Sequence, residues 1–594
     1  MSVLQKLTEG VQSRDMQAEG AALLNKWEAT GLLEGLNEGS HKQGMAMLLE
    51  NQAKELLREA SAMGSGDVEG FAAVAFPIVR RVFGGLIAND LVSVQPMSLP
   101  SGLIFFLDFI KSPDQRGGDS SSIYGGNKVA KEIQTGVDLA PTKTLDAGGF
   151  YDFNTGFSHA TASALATAVN VAVVSGYAIA GDELMSTIKA SEARRKEVRY
   201  DADLLAVDGA RHILALDIPL GELPELNRDA LSAITIADGA VTDDGGTERT
   251  LIAKAHQVKR LTQLSDPAAT GADTHVRVFL LSEDGTDITH NGGQVFAAND
   301  GIALSFPKAD HLDAVSGGVG AVNLVGTDGS GIPLENAADM AEIDIKVDSI
   351  AVTAQTKKLK AKWSPELGQD LNAYHNLDAE VELTGILSEQ IALEIDRELL
   401  GELVSGAKAG TRYWSRAPGL FLDSSGSELG AASAAPDFTG TVSEWYETLI
   451  ETINDVSAQI HRKTLRGGAN FVVCSPEVAN ILEFTSGFRA SVTADQDRGT
   501  IGAVKAGSLS KKFDVYVDPY FLRNVLLVGR KGSSFLESGF VYAPYVPLQV
   551  TPTIFGTEDF VPRKGVMTRY AKQMVRPDMY GLVVVRGLLG ESGR

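Results

Sequence analysis

Apolar residues fall four apart at Leu383, Leu387, Ile391, Ile395 and Leu399, with Ile386 beside them. That spacing makes one continuous stripe on a helix, and it predicts a helix over 378–403. Its roughly 26 residues would span about 39 Å at 1.5 Å each. Just upstream, Ser364-Pro365-Glu366 supplies a capping hydroxyl, a first-turn proline and an acid matched to the positive end of the helix dipole. A shorter helix therefore starts there. A second amphipathic helix is predicted over 442–463, with Val442, Trp445, Leu449, Val456 and Ile460 on one face. Beyond it, short strands and helices alternate at 470–474, 476–482, 513–517, 525–528 and 582–585. The stretch 351–363 alternates as a strand does.

The first half reads differently. Residues 1 to about 60 are polar and helical: Leu23-Leu24-Asn25-Lys26-Trp27 and 45–57 carry apolar residues at helical spacing, interrupted by Gly31, Gly35 and Gly39. Gly64-Ser65-Gly66-Asp67 follows as a break, so the segment reads as a detachable helical arm. Pro100-Ser101-Gly102 is turn chemistry ahead of a β-rich run, Leu103-Ile104-Phe105-Phe106-Leu107. Residues 112–150, rich in Gly, Ser and Asp, read as an exposed loop or long hairpin. From 151 to 335 aromatics thin out. Turn signals appear at Asp284-Gly285 and Asn291-Gly292, strands at 275–281 and 301–306, and a helical piece at 182–198. This is the pattern of an inserted, mainly β domain in a chain whose overall class is α+β.

Composition narrows the function classes. A chain of 594 residues predicts two to four folding units, and 44% hydrophobic with 22% charged residues is the profile of a soluble globular protein. The formal charge of -23 opposes gripping nucleic acid through its phosphates. The single cysteine, Cys474, lies in Phe471-Val472-Val473-Cys474 and reads as a buried structural thiol in a reducing compartment. Met-Ser-Val-Leu-Gln-Lys at the start has no signal-peptide pattern. The apolar stretch 162–180 alternates at Val169, Val171 and Val173, which reads as a strand and not as a membrane span.

Catalytic patterns are missing from the sequence. The nine histidines are scattered with no short-spaced metal pair. Gly529-Arg530-Lys531-Gly532-Ser533-Ser534 has the wrong order for a phosphate loop, and Asn323 stands where a dinucleotide fingerprint begun at Gly318-Val319-Gly320 needs its third glycine. No nucleophile elbow occurs. Asp284 and Asp287 lack the calcium-loop pattern and read as solvated turn acids. No catalytic, cofactor-binding or metal residue is assigned, and the chain is expected not to be an enzyme.

Several words, taken in order, resemble the major capsid proteins of T-even-type tailed bacteriophages. They are Leu23-Leu24-Asn25-Lys26-Trp27, Leu49-Glu50-Asn51-Gln52, Val79-Arg80-Arg81 and Leu91-Val92-Ser93-Val94-Gln95-Pro96-Met97. The densest match runs through Ser364-Pro365-Glu366-Leu367, Gln369-Asp370-Leu371, Leu377-Asp378-Ala379-Glu380 and Glu394-Ile395-Asp396-Arg397-Glu398. Tyr542-Ala543-Pro544-Tyr545-Val546 and Thr568-Arg569-Tyr570 close it. The likeness covers 1–110 and about 340–580 and fades between 150 and 335.

The resemblance implies the Hong Kong 97 capsid fold: an N-arm, an E-loop hairpin, a P-domain on a long spine helix, and an A-domain. Mapped onto this chain it gives a helical propeptide at 1–59, the N-arm at 60–101 and the E-loop region at 102–150 and 336–363. A large, mainly β insertion domain on the E-loop follows at 151–335, with P- and A-domains at 364–594. It further implies hexameric capsomers of an icosahedral or prolate head around double-stranded DNA, held without sequence-specific contacts. The alternatives are the pentamer-forming vertex paralogue and, more remotely, an enzyme with an unrecognised site. Implied partners are further copies of the chain, the vertex protein, portal and scaffold proteins, a prohead protease and decoration proteins; no membrane and no cofactor are implied. Assembly would take place in the host cytoplasm and the product would reside in the virion capsid. In that family a protease cuts after glutamate in a Leu-x-Glu pattern. Leu57-Arg58-Glu59 before Ala60 fits and would release the whole helical arm; the competitors are Leu32-Leu33-Glu34, Leu36-Asn37-Glu38 and Val68-Glu69. With 6 basic and 9 acidic residues, positions 1–59 carry 6 minus 9, or -3, so the arm is no DNA-binding tail.

Overall fold

A computed structural model describes residues 16–33, 39–62, 86–111, 163–170, 172–173, 182–223, 226–236, 240–242, 248–250, 255–266, 273–282, 301–307, 343–428, 438–491, 504–532 and 537–588. The expected loop at 112–150, the Gly64–Asp67 break and the turns at 284–285 and 291–292 lie outside these residues. The chain divides into two compact units: Met1–Phe106, Ile133–Gly136 and Asp348–Arg594 form one, Leu107–Glu132 and Val137–Val347 the other.

The first unit is built on two sheets. A seven-stranded sheet runs in the order Thr411–Ser415, Tyr580–Arg586, Val525–Gly529, Phe471–Cys474, Phe513–Val517, Val504–Leu509, Phe488–Ala490. Its central strands are covered on both faces, which is why they read as unbroken apolar runs. Val472, Cys474, Val515, Leu526, Val528 and Val583 meet the helix Val442–Thr464 through Trp445, Leu449, Ile453 and Val456. Phe471, Val473, Leu527 and Tyr580 face the opposite way, into the core that holds the longest helix. A capping box starts Val442–Thr464: Thr441 Oγ1 accepts from Glu444 N, and Glu444 Oε2 accepts from Thr441 N at 2.7 Å. Trp445 donates its indole N–H to Ser415 O at 2.8 Å and sits edge-on to Phe421 and Phe438.

The second sheet orders Ser93–Val94, Phe540–Val550, Pro562–Met574 and Gln355–Lys362, with Ile554–Phe555 pairing beside Pro562–Met574. Across one face lies the helix Ala379–Gly406, whose 28 residues span about 42 Å. Leu387, Ile391, Ile395, Leu399 and Leu403 of its stripe are buried over Tyr542, Leu548, Val566 and Tyr570. Asp378 caps it by accepting from Glu380 N, and Ser364 caps the preceding helix Pro365–His375 by accepting from Leu367 N. Ile386 does not join the stripe: it is 52% exposed, because Leu387 and Ser388 take the positions turned to the sheet.

The alternating run 351–363 is not one strand: it is divided at Ala354 between two. Ile343–Thr353 pairs with Ser101–Lys111 as a two-stranded ribbon, while Gln355–Lys362 joins the five-stranded sheet against Pro562–Met574. Ser101 and Gly102 already belong to the first strand of that ribbon, although their residue types signal a turn.

In the second unit, a six-stranded sheet centres on His212–Pro219 and His275–Ser282, antiparallel partners. Both faces of this pair are buried. Leu214, Leu216, Val276 and Val278 look into one core with Phe306. Ile213, Ala215, Phe279 and Leu281 look into another with Met185, Ile188 and Leu204. Among them, Arg277 stands directly opposite Asp217, binding it through Nε and Nη2 at 2.9 Å each, with Ser265 Oγ donating to the same carboxylate at 3.1 Å. Both charged side chains are buried, and the bidentate geometry is what makes a charge tolerable there. The five-stranded companion sheet includes Ser163–Asn170 and Gly301–Pro307. The helical piece expected over 182–198 is a strand, Asp182–Leu184, then helices Met185–Ala190 and Glu192–Glu197, separated where Ser191 turns to extended backbone.

Candidate assembly surfaces

The long helix is bolted to its sheet by charge. Glu394, Glu398 and Glu402 lie four apart and so share one side of the helix. Opposite them, Lys357 and Lys572 project from neighbouring strands. Lys357 reaches Glu394 at 3.1 Å and Glu398 at 3.0 Å, Lys572 binds Glu398 and Glu402, and Tyr570 donates to Glu398 at 2.6 Å. Burial pushes the Glu398 carboxyl up, but the hydrogen bonds from Lys572, Tyr570 and Lys357 outweigh it and hold the group at about 2. The lysines move the other way: burial pulls Lys572 down, but the glutamates that accept from both lysines outweigh it and hold them above their usual range. Every shift drives a group deeper into its neutral-pH charge state. A general acid or base needs the opposite, so this ladder is bracing. At the start of the helix Glu380 repeats the device, accepting from Lys564 Nζ and Thr553 Oγ1 at 2.7 Å each.

Glu380 thereby ties the helix start to the 551–565 turn, and both carry apolar side chains that the chain leaves uncovered. Leu367, Tyr374, Leu377 and Val381 are exposed on the helical side, and Ile554, Phe555 and Phe560 on the turn, with Tyr374 at 82% and Phe560 at 73%. An open cleft of about 490 Å³ lies close by, between Trp363, Gly368, Asn372 and Glu380. Among the described residues, no group of three or more His, Cys, Asp or Glu could hold a metal, and no helix is long and apolar enough to cross a membrane.

A family model described as Major capsid protein Gp23 matches residues 68–207 and 259–590. The chain belongs to that family. The major capsid protein of Vibrio phage KVP40 is 31% identical over 344 residues, covering 52% of this chain and 62% of its own length. That of Enterobacteria phage T4 is 32% identical over 243 residues, covering 39% of this chain and 44% of itself. The chain thus spans less than two thirds of the curated relatives it matches. Solved structures align more loosely. "The capsid of Myoviridae Phage XM1" is 11% identical over 42% of this chain and 79% of that one, with a TM-score of 0.27. A virus-like particle from Pyrococcus furiosus is 8% identical over 41% and 81%, with a TM-score of 0.24.

The relatives it matches are named major capsid proteins, a structural role. The family match runs through 68–207 and resumes at 259, so it reaches well into the 150–335 stretch where the resemblance fades, and it leaves out the first 67 residues, which hold Leu23–Trp27 and Leu49–Gln52. Of the residues in the cleavage motif, Leu57, Glu59 and Ala60 fall inside the helix Gly39–Ala62, which runs past the 59–60 bond. Leu33 of a competing motif is buried in the core, while Glu34, the motif Leu36-Asn37-Glu38 and Val68-Glu69 lie outside the described residues. The glutamate ladder and the exposed end at Tyr374 and Phe560 are surfaces that sequence reasoning missed. The i, i+4 glutamates were the available signal for the first; nothing local marked their lysine partners.

Proposed function

We propose that the chain is the hexamer-forming shell subunit of a tailed-phage head, built on the Hong Kong 97 capsid fold. The observation that carries the proposal is the Gp23 family match over both halves of the chain. The charge-braced helix Ala379–Gly406 supports its reading as the spine of the P-domain, and the sheet beneath Val442–Thr464 its reading as the A-domain. The ribbon Ser101–Lys111 with Ile343–Thr353 supports an E-loop that carries residues 151–335 as an insertion bridging neighbouring subunits. Exposed apolar side chains at Tyr374, Ile554, Phe555 and Phe560 supply contact area for further copies. The head encloses double-stranded DNA without sequence-specific contacts, and its assembly in the host cytoplasm draws on vertex, portal, scaffold and decoration proteins. A prohead protease cuts after Glu59, so the mature chain starts at Ala60. Loss of the scaffold-binding arm frees the shell to rearrange.

Sedimentation of the full chain, co-expressed with a chaperonin, tests the oligomer. Six copies of the 62.9 kDa chain in one ring support the proposal. Five would assign it to the vertex paralogue, and a stable monomer would contradict both. Independently, N-terminal sequencing of protein from particles should read from Ala60; any other start refutes that cut.

A further inference from the structure

The N-terminal segment is folded on itself and seated in the body. Met16–Glu28 and Gly39–Ala62 form a helical hairpin in which Lys26 pairs with Glu50 at 2.6 Å and Trp27 donates to the same carboxylate at 3.3 Å. Trp27, Leu33, Met45, Leu48 and Leu49 are buried in one cluster with Leu86, Leu91, Tyr542, Leu548 and Val550. Asn51 Nδ2 adds hydrogen bonds to the carbonyls of Met97 at 3.0 Å and Tyr545 at 3.4 Å. This face of the five-stranded sheet is the one that also carries the long helix, so the hairpin covers sheet surface beside it. All these hairpin contacts lie N-terminal to Lys54, ahead of the bond between Glu59 and Ala60.

We infer that the seat along Leu86, Leu91, Tyr542, Leu548 and Val550 is a binding site for an amphipathic helical hairpin, whose occupant is residues 16–54 of this chain held even as a separate peptide. The inference deepens the proposed removal of the arm and rests on it for its biological setting. Cutting one peptide bond removes none of these contacts; it only ends the high effective concentration that tethering gives. Recognition is of the helix-in-groove kind, with Trp27, Met45 and Leu49 as anchors and Asn51 fixing the register. Release of the arm is therefore a second, non-covalent step after the cut, and the sheet stays covered until it happens.

The test is made on the full chain with residues 57–62 replaced by the recognition sequence of a site-specific protease. After cutting, gel filtration at micromolar concentration should find the peptide co-eluting with the body. A fluorescent peptide spanning residues 16–62 should exchange into the seat. The same peptide with Trp27→Ala and Leu49→Ala should bind about tenfold or more weakly. Three results would overturn the inference: a peptide that separates at once from a body keeping its native circular dichroism, equal binding by the double variant, or a body that unfolds whenever the peptide leaves. The last would make the hairpin part of an indivisible core and not a ligand. A virion chain that starts elsewhere than Ala60 would sink the cleavage assignment and leave the seat standing.

Discussion

Replacing Glu398 by Gln removes the charge at the centre of the helix–sheet ladder and little else, since the amide keeps the size and one accepting oxygen. The native carboxyl sits at about 2 against an ordinary 4.5. At 1.36 kcal/mol per pH unit that drop sets an upper limit of about 3 kcal/mol. The side chain is 24% exposed, so solvent screening reduces the expected loss to about 1–2 kcal/mol at pH 7. The sign follows from the lowered value. Ionised Glu398 stabilises fully above 4.5, and the contribution fades as pH falls from 4.5 towards 2. Urea unfolding followed by tryptophan fluorescence reads the right unit, because Trp27, Trp363, Trp414 and Trp445 all belong to the first one. Wild type and Glu398→Gln should differ by that amount at pH 7 and converge near pH 2. A difference that is absent at pH 7, or unchanged by acid, would refute the bracing role.

Three further outcomes follow from the packing. Arg277→Ala strands Asp217 in a dry core, and should destabilise the second unit by about 3–5 kcal/mol; far-UV circular dichroism in urea should show an earlier transition while the tryptophan signal stays put, and a single unchanged transition would count against it. Trp445→Ala empties the site between Phe421, Phe438 and Trp414, and should cost the first unit about 3–5 kcal/mol in the same fluorescence assay, with a loss below 1 kcal/mol contradicting the packing. Burial, with Glu483 nearby, pushes the Cys474 thiol up to about 12. It should resist a thiol reagent at pH 8 until guanidinium unfolds the chain and then react once, and rapid native labelling would contradict that burial.

Local signals were legible where one element's own residues decide its structure. The stripe from Leu387 to Leu399, the apolar face from Trp445 to Ile460 and the cap at Ser364 placed two helices and the start of a third to within a turn. What depended on a distant partner was not. Ile386 fits a helical stripe as well as Leu387 does, and only the sheet beneath decides which is buried. Alternation runs on through Ala354, so the split between ribbon and sheet rests on the strands at 101–111 and 562–574. Asp217 and Arg277 are 60 residues apart, and strand register alone makes them neighbours. The same holds for the helical arm. Its glycine breaks read as detachability, yet Trp27, Met45 and Leu49 find apolar partners in strands some 500 residues away.

Electron microscopy of the assembled chain, expressed in full with a chaperonin and the prohead protease, tests the shell-subunit reading most directly. Sheets, tubes or closed shells tiled by six-fold capsomers are the predicted result. Particles that stay monomeric and never tile, at any concentration at which the chain remains folded, would contradict it.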